Sequence, residues 1–491
     1  MENALSTVTL QVPDIPIKFE TDVIVVGGGS GGIGAAIAAA RNGAQVILVE
    51  QSNHLGGLAA HGLVSVYMNS DRNVRGGIYA ELVGRLIERG CVLENSTMAI
   101  PYDKEEYKWL LQNMVLDAGV KLLLRTSYTD SLIEDGVITG IICDSIAGRF
   151  AIKGKVVIDC TRLATVGVRS GASILVPIEL QPVVFCHVLR GINYPELNAL
   201  LAADDEYFSD PTKHLVSPKG YGGVKYWPWT FMGGQKYLQE AKERGDFTFD
   251  KNEVFFFGYL DSGQRMRFLD WLSVSTSLDA FDIKAGNYDI ESISQIEVNM
   301  REHVWAAAEY LKKNVKGFAA SEVDATPDET GLWGTRLEGD WVMSMEDMFE
   351  GAEYEDSVVI ASWILDNADF RRFDCPLHEI PYRAFYSKDI DNLMAGGFNI
   401  SADAISCASI VDQPTCISTG EVSGTAAALA VRDGVKVRDV DVKKLQETLQ
   451  AQGLMTAIKM LPAEVAQEYA DSMLSIREEM EKTPYSEVRT Y

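Results

Sequence analysis

The sequence predicts an α/β protein, with a Rossmann-like nucleotide-binding domain split by an inserted α+β cap domain. Three observations carry this expectation. Residues 22–50 read as strand, glycine turn, helix, second strand and acid. Residues 171–326 then change texture, with an aromatic-rich stretch and a long helical pattern. Finally, Asn392–Phe398 and Thr415–Ala430 read as a strand and a small-residue helix that suit the first sheet.

Val23–Val26 is a continuous apolar run, as expected of a parallel strand buried on both faces. Gly27 allows a tight turn, Gly29 lets backbone approach a pyrophosphate, and Gly32 lets the helix pack close to the strand. The free amides of the helix N-terminus suit phosphate. Glu50 ends the second strand, where a carboxylate binds ribose hydroxyls. Helices are expected at about Gly77–Arg89 and Lys104–Ala118. Strands are expected at Lys121–Leu124, Asp130–Glu134, Val137–Cys143, Arg149–Ile152 and Lys155–Thr161, with a hairpin turn at Asp135 and Gly136. Past these, Gln181–Arg190 reads as a strand and Ile290–Asn314 as a long helix. The expected domains are 21–165 and 327–438 for the nucleotide domain, 171–326 for the cap, and 439–491 for a charged helical tail.

The net charge of −26 argues against nucleic acid and anionic membranes as partners. No apolar run is long enough to cross a membrane, and residues 1–20 do not read as a secretory signal. Seven cysteines without a Cys-x-x-Cys pair point to a reducing, cytoplasmic setting and away from dithiol redox chemistry. Six dispersed histidines show no metal-ligand spacing, so no metal is expected.

A glycine turn with a strand-end acid fits either NAD or FAD. Three features favour FAD. Gly56 and Gly57 follow the acid closely, where a flavin enzyme threads its backbone along the cofactor. The nucleotide fold is split by a large insertion. The closing helix, expected to begin near Gly420, would set its positive end toward the flavin.

On these motifs the chain resembles a bacterial family of FAD-dependent oxidoreductases, distantly similar to the fumarate reductase and aspartate oxidase flavoproteins. Leu55–Leu63, Gly76–Ile78, Gln181–Val183, Asn314–Phe318, Gly331–Arg336, Glu379–Arg383, Pro414–Cys416 and Gly420–Ala430 carry the resemblance. It implies a two-domain flavoprotein with noncovalent FAD. The expected cofactor residues are Gly27, Gly29, Ser30, Gly31, Gly32, Glu50, Gln51, Gly56, Gly57, Leu58, Tyr128, Thr161, Gly397, Gly420 and Glu421.

Several charged family positions differ here. A Gly-Asp-Gly-Asp run becomes Arg162, Leu163, Ala164 and Thr165. One arginine of a pair survives as Arg336, an Ala-Gly-Arg becomes Gly396, Gly397 and Phe398, and a Ser-x-Arg becomes Ser409, Ile410 and Val411. The expected function is hydride transfer between a small organic substrate and flavin N5, with an unspecified electron acceptor and a homo- or hetero-oligomeric state left open. The alternatives are a noncatalytic flavin-binding subunit of a heteromeric complex and a flavin-dependent isomerase.

His61, Arg336 and His378 are the catalytic candidates: two proton carriers and one cation for a carboxylate or oxyanion. His54 reads as loop scaffold, and His187 as a cap histidine that reaches the pocket or stays in the core. Arg162 and Arg383 read as charge replacements or structural ion pairs, and Tyr226, Trp227 and Trp229 as a pocket lining or core cluster. Cys160 and Cys416 read as small buried residues.

Overall fold

The computed structural model describes residues 14–68, 76–92, 99–176, 183–202, 208–209, 230–233, 243–244, 256–260, 266–272, 281–282, 287–288, 290–332, 334–361, 364–366, 372–374, 377–403 and 406–467. Tyr226, Trp227 and Trp229 lie outside the described residues.

A five-stranded sheet forms the centre, in the order Leu393–Ala395, Val156–Asp159, Val23–Val26, Val46–Val49, Lys121–Leu123. Every pairing in it is parallel. Val23–Val26 and Val46–Val49 are buried at every position, which explains their unbroken apolar sequence. The chain leaves Val26 through the glycine turn and enters the helix Ser30–Arg41 at the carboxyl edge of the sheet. Ligands of open α/β sheets bind at that edge.

A second sheet takes the order Ile17–Glu20, Gly148–Lys153, Val137–Ser145, Thr126–Glu134. Asp135 and Gly136 both have positive φ, 50° and 78°, as an Asp-Gly two-residue hairpin turn requires. Thr126–Glu134 starts four residues before the expected strand, because Thr126, Ser127 and Tyr128 already pair with Ser145, Asp144 and Cys143. Their polarity hid the strand; its edge position permits it.

The inserted part holds a six-stranded antiparallel sheet, ordered Phe208–Ser209, Thr230–Gly233, Phe256–Leu260, Met266–Leu272, Val183–Arg190, Glu322–Ala325. The helix Ile290–Asn314 has the bounds its sequence predicts. Ile296, Met300, Val304, Ala307 and Leu311 are buried along it, at helical spacing. They pack with Phe185 and Leu189 of the strand Val183–Arg190.

The closing helix runs Gln413–Asp433, with Asp412 accepting from the Thr415 amide and Gly434 ending it at φ 67°. It therefore starts well before Gly420, which lies about two turns inside. The expectation of a helix N-terminus at Gly420 is corrected; Pro414 in the first turn is the sequence sign of the true start. The opening and closing helices meet backbone to backbone. A Cβ at Gly420 would overlap the Gly31 carbonyl oxygen, and one at Gly424 the Ala35 carbonyl oxygen. No helix among the described residues is long and apolar enough to cross a membrane.

Candidate functional site

The site is built where the glycine turn, the loop after Glu50 and the closing strand converge. Gly27 has φ 99°, and a Cβ there would lie 2.6 Å from the Cys160 carbonyl oxygen, so only glycine serves. Gly32 packs on the Gly27 carbonyl, which fixes the helix against the strand end. Gly29 forms the N-cap of Ser30–Arg41 and supplies no side-chain cap. The first amides of that helix are left for a ligand. A Cβ at Gly29 would meet only the Gly57 Cα, at 3.7 Å, so the turn faces open space across Gly57. Gly31 abuts Gly397, whose φ of 97° turns the closing strand beside the helix start. Gly56 has φ 122° and donates its amide to the Gly28 carbonyl at 2.9 Å.

Glu50 is 8% exposed and held by backbone. One carboxylate oxygen accepts from the Gly28 amide at 2.6 Å, the other from the Ser52 amide at 2.7 Å. These charge-assisted bonds fix the carboxylate at the rim of the glycine turn. Gln51 is exposed and Leu58 half-buried. Tyr107 hydrogen-bonds Ser30, and its hydroxyl also meets Tyr67 at 3.1 Å. Burial pushes the Tyr107 phenol up to about 12, so it stays protonated and can donate.

The turn after Val156–Asp159 is held by Asp159, which is fully buried. Its carboxylate accepts from the Thr161 amide at 2.9 Å, the Thr161 hydroxyl at 2.7 Å and the Gly167 amide at 3.0 Å. Burial raises its pKa against these bonds. Thr161 in turn accepts from the Thr165 amide at 2.7 Å. Ala164 has φ 47°, a left-handed backbone that L-residues resist. Ala164→Gly is expected to raise stability by up to about 1 kcal/mol, read as a higher thermal midpoint. A lower midpoint would refute the strain argument.

His61 is buried, and its ring stacks on His54 with centroids 3.9 Å apart and planes 11° apart. His61 Nδ1 lies 3.9 Å from the Asp328 carboxylate, and its Nε2 is buried without a hydrogen-bond partner among the described residues. Burial, then the neighbouring His61, pushes His54 down to about 4, so it is neutral at neutral pH. The Asp328 amide donates to the His61 carbonyl at 2.7 Å, and the Cys186 amide to the Gly62 carbonyl at 2.9 Å. Both ends of the inserted part thus touch the loop after Gly57. Glu329, next to Asp328, has its pKa raised by burial and held back by His61 and Arg162. The Arg162 guanidinium bonds the Leu332 carbonyl and lies 5.7 Å from the Phe398 ring centre. Asp328 and Glu329 had no site motif to mark them; only folding brings them beside His61 and Arg162.

The other candidates are held by partners of their own. Arg336 is buried and donates to Ala402 at 2.8 Å and Gly334 at 3.2 Å, both backbone carbonyls, and to Cys407 Sγ at 3.5 Å. His378 sits in a buried strand with Nε2 3.3 Å from the Ser409 hydroxyl. Arg383 pairs with Asp356 at 2.9 Å on the surface. His187 is fully buried in the cap strand. The Tyr128 hydroxyl bonds Ser131 at 2.9 Å. Glu421 accepts the Ile78 amide at 2.8 Å. Cys160 is buried, which raises its thiol pKa, and Cys416 is buried near it.

A family model described as FAD dependent oxidoreductase matches residues 22–449. The chain belongs to this family. FAD is therefore its cofactor, and the glycine cradle fits that group: the helix start is uncapped, Gly29 is open, and the Glu50 carboxylate stands at the rim. Among curated relatives, a digeranylgeranylglycerophospholipid reductase of Methanocella arvoryzae is 27% identical over 153 residues, 29% of this chain and 39% of that protein. A digeranylgeranylglycerophospholipid reductase 2 of Methanopyrus kandleri is 29% identical over 225 residues, 42% of this chain and 53% of that protein. The chain thus spans about a third to a half of the length of the curated relatives it matches. Among solved structures, a geranylgeranyl bacteriochlorophyll reductase-like protein of Thermoplasma acidophilum shows 11% identity and a TM-score of 0.42, covering 94% of this chain and 99% of that one.

Proposed function

We propose that the protein transfers hydride between a small organic substrate and FAD, with the inserted domain closing over the reacting groups. The observation that carries this reading is the pairing of an open, uncapped glycine cradle with a buried histidine on the adjoining loop. When bound, FAD supplies N5 as the hydride acceptor or donor. The amides of Ser30, Gly31 and Gly32 would hold its pyrophosphate, and Glu50 its ribose. His61 is the group proposed to give or take the substrate proton. Its ring is ordered by His54, and among the described residues its Nε2 has no hydrogen-bond partner. Arg336 and His378 are proposed instead as supports, because their polar atoms serve the closing part of the nucleotide domain.

Two measurements test this. The purified protein is expected to be yellow, and its flavin to bleach without oxygen when the right member of a substrate or reductant panel is added. Failure of every candidate, with a second polypeptide co-purifying, would favour the noncatalytic subunit. Glu50→Ala is expected to weaken FAD binding about 10- to 100-fold, the loss of charge-assisted bonds. Unchanged affinity would defeat the ribose assignment.

A further inference from the structure

We propose that Tyr107 is a positioning residue for FAD. Acting through Ser30 from a buried cluster of tyrosines, it presents the start of the cofactor helix to the pyrophosphate. The role depends on the pyrophosphate lying at that helix start, as proposed above, and not on hydride transfer or on His61.

Tyr67, Tyr79, Tyr102 and Tyr107 are all fully buried. The Tyr107 ring lies 4.4 Å from Tyr102, with planes 35° apart, and 6.1 Å from Tyr67 at 77°. On another side, a Cβ at Gly56 would come 3.4 Å from its ring edge, so the glycine turn of the cofactor loop rests on it. Packing of this kind locks a side chain in place. Phenylalanine would supply the same packing with no polar atom, and burying a hydroxyl without a partner costs about 1–3 kcal/mol. The partners of the hydroxyls therefore tell what they do. Tyr67 donates to Tyr107 at 3.1 Å, Tyr102 donates to Gln413 Oε1 at 2.6 Å, and Tyr107 bonds Ser30.

Those partners frame the cofactor site. Ser30 begins the helix Ser30–Arg41 and is half-buried, and Gln413 begins the closing helix. Gln413 Nε2 donates in turn to the Val64 carbonyl at 2.6 Å, just past the loop that carries His61. One cluster thus ties both helix starts to that loop. Proton counting sets the direction at Ser30. Tyr107 accepts from Tyr67, and burial keeps its own proton in place to be given. An ionised phosphate oxygen is a stronger acceptor for the Ser30 hydroxyl than a phenol is. With FAD bound, Ser30 would donate to the phosphate and accept from Tyr107, adding an oriented side-chain donor to the free amides of the first turn.

FAD-loaded protein is diluted and release followed by flavin fluorescence, which gives the dissociation constant. Tyr107→Phe is expected to weaken FAD binding about 3- to 10-fold, and to add little to Ser30→Ala, because both remove one shared contact. Tyr382→Phe is the control for a lost buried phenol, since its hydroxyl donates to the Val437 carbonyl at 2.6 Å. That control is expected to lower the melting midpoint and leave FAD affinity unchanged. Unchanged affinity in Tyr107→Phe, a loss that adds in full to Ser30→Ala, or an equal loss in Tyr382→Phe would overturn the role. If Glu50→Ala weakens FAD binding while Tyr107→Phe does not, the cradle reading stands and the role of Tyr107 alone falls.

Discussion

Replacing Gly420 with alanine is expected to destabilise the protein by about 3 kcal/mol or more and to empty it of FAD. Helix propensity alone predicts the opposite sign, since alanine in a helix interior gains up to about 1 kcal/mol over glycine. Geometry decides the matter. A Cβ at Gly420 would overlap the Gly31 carbonyl oxygen and lie 3.0 Å from the Ala35 amide nitrogen. Both obstacles are backbone of the helix Ser30–Arg41, so no rotamer change relieves the clash. Overpacking typically costs 1–3 kcal/mol where side chains yield; rigid backbone on both sides puts this case at the top of that range or beyond. The helices must separate, and the one displaced begins at the uncapped amides of the cofactor cradle. Gly84→Ala is the matched control, because that glycine is also helical and a Cβ there meets nothing within 4 Å. It is expected to raise stability by up to about 1 kcal/mol. Thermal midpoints and the flavin-to-protein absorbance ratio of the two variants check the pair. A Gly420→Ala protein that melts higher and keeps its flavin would show that the helices do not meet as described.

The same glycine marks the limit of what the sequence made legible. Gly27, Gly29 and Gly32 were readable because their roles are local: a turn, an open approach and a tight helix start within a few residues. Gly420 resembles them in sequence, yet its neighbour is Gly31, on a helix at the other end of the chain. Whether a glycine faces a ligand or another helix is set by that partner. The place of Glu50 at a strand end was legible because a strand and a closing acid are a local pattern, though the Gly28 and Ser52 amides that fix it were not. Arg336 read as a cation for a carboxylate or oxyanion, or for a structural acid; its carbonyl partner at Ala402 comes from a separate loop. The histidine stack failed for a different reason. His54 and His61 carry no regular spacing, and only the tight turn through Gly56 and Gly57 brings their rings face to face. Apolar strands survived these difficulties because burial on both faces leaves a continuous signature in the residues themselves.

Glu421 carries the second large effect, a pH-dependent one. Its carboxylate is 1% exposed and meets the start of the helix Gly77–Glu88, where it accepts the Ile78 amide. Gly77 there has φ 59°, and a Cβ at that position would lie 2.6 Å from one carboxylate oxygen. Burial pushes Glu421 up to about 7; the Ile78 bond and Arg41 oppose the shift without cancelling it. The sign follows from proton counts. Below about 4.5 the folded and unfolded chains both hold the proton. As the pH rises toward 7 the unfolded chain releases it and the folded chain keeps it, so stability falls. The stabilisation present at low pH is lost as the pH passes through the folded value, on the order of 3 kcal/mol in all. Glu421→Gln keeps the acceptor for Ile78 and removes the ionisation. The variant is expected to melt a few degrees above the parent at pH 8 and to match it near pH 4. Equal shifts at both pH values would mean that packing, rather than the buried charge, sets the difference. Because Glu421 lies one residue beyond Gly420, the closing helix meets two elements at adjacent positions: the cofactor helix through bare backbone, and the helix after Gly76 through a carboxyl group that works best when neutral.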